Sequence, residues 1–191
     1  MKKVFLVGDS IRLGYDSCVR DLLENEAQVY WSNENARFVM HTLRYLHEWA
    51  QVDCDPEKID VVHWNNGLWD ALLLTGDGTF TPIEHYEHAL HRIAKRMKTV
   101  FPNAKIIFGL TTSVVTTRVE NYALVRRNED IEAFNEAARR VMKEEGVFVN
   151  DLYAVSSAMP DDMHTPEGVH FTPEGYKLLA EHVVKAVREV M

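Results

Sequence analysis

Five short apolar runs alternate with segments of helical periodicity, and this alternation constrains the chain more than any other feature. The runs are Lys3 to Val7, Ala27 to Trp31, Ile59 to Trp64, Ala104 to Leu110 and Val147 to Val149. They read as buried strands. Between them, Thr81-Pro82-Ile83-Glu84 combines a capping hydroxyl, a proline for the first helical turn and a Glu that reaches back, and Tyr86, Leu90, Ile93 and Met97 follow on one stripe. Thr172-Pro173 opens another helix, with Tyr176, Leu179, Val183, Val187 and Val190 on one face. Ile131, Phe134, Ala138 and Val141 mark a third, and Val39, Leu43, Leu46 and Ala50 a fourth. Such alternation predicts a mainly parallel five-stranded sheet between two layers of helices, because right-handed crossovers place helices on both faces. No repeat and no Gly/Ser/Pro linker divides the 191 residues, so residues 1–191 are read as one domain.

Composition narrows the function classes. At 46% hydrophobic and 26% charged residues, the chain is neither disordered, nor collagen-like, nor a disulfide scaffold. Its 29 acidic and 21 basic residues give a formal charge of −8, which repels nucleic acid and anionic lipid and leaves a neutral or cationic small molecule as the expected partner. No apolar run approaches the roughly 18 residues that cross a bilayer. The apolar residues Val4 to Val7 after Met1-Lys2-Lys3 are too few for a secretory h-region, so a soluble, cytoplasmic protein is expected. Cys18 and Cys54 form no CxxC and are expected as two reduced thiols.

Parallel sheets bind ligands outside the carboxyl ends of their strands. After the first strand stands Gly8-Asp9-Ser10-Ile11-Arg12-Leu13-Gly14-Tyr15, which puts a serine at a helix N-terminus, where free N–H groups and the dipole favour a developing anion. The plainer reading makes Asp9 or Ser10 only the N-cap. A serine nucleophile needs a histidine to take its proton. The segment Pro160-Asp161-Asp162-Met163-His164-Thr165-Pro166-Glu167-Gly168-Val169-His170-Phe171-Thr172-Pro173-Glu174-Gly175-Tyr176 offers His164 and His170, each with a carboxylate three residues earlier, Asp161 and Glu167. A carboxylate so placed fixes the imidazole tautomer. His170 is favoured because it directly precedes the well-capped helix.

Gly8-Asp9-Ser10 and Gly168-Val169-His170-Phe171-Thr172-Pro173-Glu174-Gly175-Tyr176 together resemble the first and last blocks of the SGNH (GDSL-type) hydrolases, serine esterases and acylhydrolases with a flavodoxin-like three-layer α/β/α fold. The resemblance implies that Ser10 is the nucleophile, His170 the general base, and the residue three before His170 its carboxylate partner. The family usually has Asp there; this chain has Glu167, with Asp161 or Asp162 as substitutes. The family's second block supplies a backbone N–H, and its third is a Gly-x-Asn-Asp whose asparagine points into the oxyanion hole. Here the second strand runs into Trp31-Ser32-Asn33-Glu34-Asn35-Ala36-Arg37, and the third into His63-Trp64-Asn65-Asn66-Gly67-Leu68-Trp69-Asp70. Aligned on Gly67 and Asp70, Trp69 holds the asparagine's place. The expected oxyanion donors are therefore Ser10 N–H, Asn35 (or Asn33) and Asn66, with Asn65 and Trp69 lining the substrate pocket. The alternative for Asn66-Gly67 is a plain turn.

The implied activity is a serine esterase that uses neither metal nor cofactor and passes through an acyl-enzyme. Short acyl groups, acetyl first, are expected on a domain this small, with O-acetylated carbohydrate as the natural substrate. Lysophospholipid or thioester acyl chains are the next choice. A binding module that kept the fold and lost the chemistry is the reading from another class, suggested by Glu167 and Trp69. Three further groups read as structural. Arg12 and Arg37 are expected in ion pairs with Asp9, Glu34 or Asp70. His85, His88 and His91 fall opposite the apolar stripe and form a solvated face. Of the four tryptophans, Trp64 and Trp69 bracket the third loop and are the ones placed to touch substrate.

Overall fold

The structure, a computed structural model, describes residues 1–51, 53–120 and 125–191. Its five-stranded sheet comprises β1 (Lys2–Val7), β2 (Ala27–Trp31), β3 (Val61–Asn65), β6 (Lys105–Gly109) and β7 (Phe148–Asn150), in the order β2-β1-β3-β6-β7 with every pairing parallel. Helices α1 (Ser10–Leu22), α2 (Val39–Trp49), α3 (Ile83–Val100), α5 (Asn128–Glu145) and α7 (Pro173–Val190) cover it. α1 packs on α7, and α2, α3 and α5 pack in a row. This is the expected α/β/α sandwich with flavodoxin-like strand order.

The helix ends follow from sequence. Asp9 caps α1 by accepting from Ile11 N–H, Thr172 caps α7 through Gly175 N–H, and Gly146 closes α5 in the left-handed conformation. The stripes Tyr86, Leu90, Ile93, Met97 and Leu179, Val183, Val187 are buried, with Val4, Phe5, Leu6, Val61 and Val62 between the layers.

Two expectations change. The last strand is Phe148–Asn150 rather than Val147–Val149, and it is an edge strand: Phe148 is 50% and Val149 38% exposed, because only β6 pairs with it. A two-stranded hairpin, β4 (Leu73–Leu74) and β5 (Gly78–Thr79), follows the third loop; strands this short carry no periodicity. Two shorter helices, α4 (Thr116–Val119) and α6 (Leu152–Ser157), and two 3-10 turns, Pro56–Lys58 and Asp161–Met163, complete the described elements. Cys18 and Cys54 are free thiols. Among the described residues no helix is long and apolar enough to cross a membrane.

After β1 the chain crosses to β2 on one side, then returns to β3 on the other. The crevice at this reversal lies between the loops after β1 and β3, where open α/β sheets hold their ligands.

Candidate active site

Ser10 is the first residue of α1, so its N–H has no acceptor within the helix. Its Oγ lies 2.8 Å from His170 Nε2. On the other side of the ring, His170 Nδ1 is 2.6 Å from Glu167 Oε1, which also accepts the His170 backbone N–H at 3.1 Å. Three residues from opposite ends of the chain thus form one continuous hydrogen-bonded line. With the carboxylate on Nδ1, the imidazole carries its proton there and offers the Nε2 lone pair to the serine hydroxyl.

The loop carrying the imidazole is held from several sides. Thr165 N–H and Oγ1 both bond the His170 carbonyl, at 2.9 and 3.0 Å. Arg118 Nη1 donates to the carbonyls of Asp161, His164 and Thr165. Partial burial pushes the Glu167 carboxyl up, but hydrogen bonds from Thr165, His170 and the local backbone outweigh it and bring the pKa down to about 2. Glu167 is therefore ionised throughout the neutral range. Asp161 and Asp162 lie exposed in a short 3-10 turn. His164 is buried against Phe171 with 4.5 Å between ring centroids, and neither ring nitrogen has a partner among the described residues. Burial lowers its pKa and keeps the ring neutral.

Arg12 is almost wholly buried and pairs with Asp16 at 2.8 Å, not with Asp9, Glu34 or Asp70. Its second nitrogen donates to the carbonyls of Ser32 and Glu34, which fastens the second loop beside Ser10. In that loop Glu34 N–H bonds Ser32 Oγ, Ala36 N–H bonds Gly8 O and Arg37 N–H bonds Asn35 Oδ1. Asn35 N–H has no acceptor among the described residues.

The third loop overturns three expectations. Asn66 is completely buried and both ends of its amide are bonded within the fold: Oδ1 accepts from Trp64 Nε1 at 2.7 Å and Nδ2 donates to the Arg37 carbonyl at 2.9 Å. Its own carbonyl takes Tyr86 Oη at 3.0 Å and Thr111 Oγ1 at 3.1 Å. It is a structural turn residue, not an oxyanion donor. Trp64 is core, fully buried and edge-on to Phe108. Asn65, 6% exposed, turns its amide to Asp9 instead of outward, so it is not a substrate contact. Gly67 is required by this packing: its φ is +140° and a Cβ would fall 2.1 Å from Thr111 Oγ1. Trp69 remains half-buried, and its indole N–H has no acceptor among the described residues. Arg126, buried beside this loop, donates through Nε to the Leu68 carbonyl at 2.5 Å and contributes positive charge felt by Asp9.

Asn66→Ala leaves the buried Trp64 indole N–H without an acceptor, at about 1–3 kcal/mol, and loses the Arg37 bond as well. The expected result is a melting temperature lower by roughly 5–10 °C with kcat of the folded protein nearly intact, read by calorimetry and steady-state kinetics.

Asp70 accepts from Thr81 Oγ1 at 2.7 Å and from Val39 N–H with both oxygens, which ties the third loop to the start of α2. Burial dominates these bonds and pushes its pKa up to about 7. A folded-state pKa above the unfolded one means the contribution to stability is complete below the unfolded value of 3.8 and is lost as pH rises through about 7. The melting temperature of Asp70→Asn relative to wild type should therefore climb across that window. A constant difference from acid to neutral pH would refute it.

His85 and His88 are exposed on α3, and His91 pairs with Glu145 at 2.8 Å. They contribute nothing to this crevice.

Fold and geometry define a class: a three-layer α/β protein with a hydroxyl, imidazole and carboxylate in line at the strand ends of its switch point. Residues 6–178 match the profile of the GDSL-like lipase/acylhydrolase family, and the chain belongs to that family. It is similar to the GDSL esterase/lipase WDL1 of Oryza sativa subsp. japonica, 28% identical over 127 residues, covering 60% of this chain and 47% of that one; this chain thus spans about half the relative's length. Among solved structures it resembles a lipase/acylhydrolase from Enterococcus faecalis, with a TM-score of 0.77, 21% identity and 99% and 96% of the two chains covered. It also resembles the acetyl xylan esterase AlAXEase, with a TM-score of 0.76, 16% identity and 97% and 99% covered.

Proposed function

We propose that the 191 residues act as a single-domain serine esterase that removes short acyl groups, acetyl first, from a small alcohol such as an O-acetylated sugar. The observation carrying this reading is the line Ser10 Oγ, His170 Nε2 at 2.8 Å and His170 Nδ1, Glu167 Oε1 at 2.6 Å. Ser10 Oγ attacks the ester carbonyl while His170 Nε2 takes its proton, and Glu167 stabilises the imidazolium. The oxyanion is received by the N–H groups of Ser10 and Asn35, helped by the N-terminal dipole of α1. His170 returns the proton to the leaving alcohol, and water then cleaves the acyl-enzyme by the same relay. Trp69 lines the pocket mouth. The acetyl preference draws on the similarity to an acetyl xylan esterase.

The test is a series of nitrophenyl esters of increasing chain length, assayed with and without chelator, alongside a fluorophosphonate label mapped by peptide analysis. Turnover highest on acetate, indifferent to chelator, with the label on Ser10 is the expected outcome. A maximum on long chains would replace acetyl by a lysophospholipase or thioesterase specificity. A protein that neither turns over nor takes the label would be a binding module.

A further inference from the structure

The Gly8-Asp9-Ser10 turn leans on one side chain of the neighbouring strand. β1 and β3 pair with Val7 opposite Trp64, so Gly8 stands beside Asn65. The Asn65 amide lies across the place where a Gly8 side chain would begin: a Cβ there would be 1.9 Å from Asn65 Oδ1. Asn65 Nδ2 donates to Asp9 Oδ1 at 3.0 Å, and the same oxygen accepts Ile11 N–H at 3.0 Å. One buried carboxylate oxygen therefore links the end of β3 to the first turn of α1, and Ser10 lies between Asp9 and Ile11.

The orientation of the amide follows from chemistry. Asp9 Oδ1 already accepts Ile11 N–H and so is an acceptor whether or not the other oxygen carries a proton, and it is the nitrogen of Asn65 that must face it. This leaves Asn65 Oδ1, and Asp9 Oδ2 as well, buried without a partner among the described residues. Buried acceptors without donors lower stability, and they are found where another demand is served. An apolar residue at 65 would remove one of them. Asn65 is instead one hydrogen bond from the turn that carries the serine, where a displacement of about 1 Å costs on the order of 10²-fold in rate.

We propose that Asn65 is a positioning residue for the nucleophile, holding the Ser10 turn through Asp9 so that Oγ stays aligned with His170 Nε2. The proposal rests on the reading of Ser10 as the nucleophile. Asn65 touches no substrate; it acts through Asp9.

Wild type is first labelled with the fluorophosphonate, and failure to label overturns the reading of Ser10 itself. Asn65→Leu is then compared with it. The expected result is a fall of roughly 10- to 100-fold in kcat and in the labelling rate, with KM nearly unchanged and the melting curve accounting for none of the loss. A folded Asn65→Leu that labels and turns over like wild type overturns the proposal.

A second pair of variants covers the case in which Asn65→Leu fails to fold. Asn65→Asp sets a second carboxyl against Asp9 and should be slow. Combining it with Asp9→Asn exchanges the two partners: Asn is an equally good cap for Ile11 N–H, and its amide can donate to the new carboxylate. The exchange should recover most of the lost labelling rate. Recovery of melting temperature without recovery of rate would make the pair merely structural and overturn the proposal.

Discussion

Ser10→Ala and His170→Ala should each lower kcat by as much as about 10⁶-fold, and the double variant should be no slower than either alone. The 2.8 Å contact between Oγ and Nε2 makes the two side chains a unit: without the imidazole the hydroxyl keeps its proton, and without the hydroxyl the imidazole has nothing to activate. Residual turnover in either variant would come from the N–H groups of Ser10 and Asn35 and from binding alone. KM should change little, since neither side chain is needed to hold an ester in the ground state. The matched comparison is His164→Ala. His164 is buried, neutral and packed at a tilt against Phe171, so its removal should lower stability and leave the folded enzyme active. Kinetics corrected for the folded fraction decide the matter. If His164→Ala is as slow as His170→Ala, the choice of histidine is wrong.

That Ser10 and His170 meet, 160 positions apart, was readable because both tests are local. One asks for a hydroxyl after the first strand; the other for an imidazole ahead of a capped helix with a carboxylate three residues back. The sheet was readable for the same reason, since each buried run carries its own hydrophobic signal. What escaped depends on partners distant in sequence. Asn66 looks like a donor at a strand end, yet its buried amide is bonded to Arg37 and Trp64 and its carbonyl to Tyr86 and Thr111, and no spacing rule encodes that. Arg12 likewise chose Asp16, four residues along its own helix, over the carboxylates of other loops. Arg118 and Arg126, which fasten the last and third loops by donating to carbonyls, carry no motif. The exposure of Phe148 and Val149 follows from strand order, which an apolar run does not reveal.

Glu167→Ala should cost on the order of 10⁴-fold in kcat, less than losing the serine or histidine, because the imidazole can still accept a proton when its orientation is lost. Glu167→Gln should do no better. An amide turned to donate to Nδ1 would move the imidazole proton to Nε2 and point a donor at the serine. Glu167→Asp should fall between wild type and Ala, since one methylene fewer pulls back the carboxylate oxygen that now accepts from both Nδ1 and the His170 backbone N–H. Asp161→Asn and Asp162→Asn, exposed in their turn, should leave the rate unchanged.

The pH dependence gives a second measure of the same residue. A folded pKa of about 2 against an ordinary 4.5 means the ionised carboxylate stabilises the native state fully above 4.5 and that this stability is lost as pH falls through about 2. Any loss of activity on the acid side of neutrality but above about pH 4.5 therefore reports protonation elsewhere than Glu167. Glu167→Gln should flatten the acid decline of the melting temperature between 4.5 and 2 while lowering kcat at every pH. Should Glu167→Ala keep most of its activity while Asp161→Asn or Asp162→Asn loses it, the carboxylate belongs to the other turn, and the 2.6 Å contact with His170 would be an incidental ion pair.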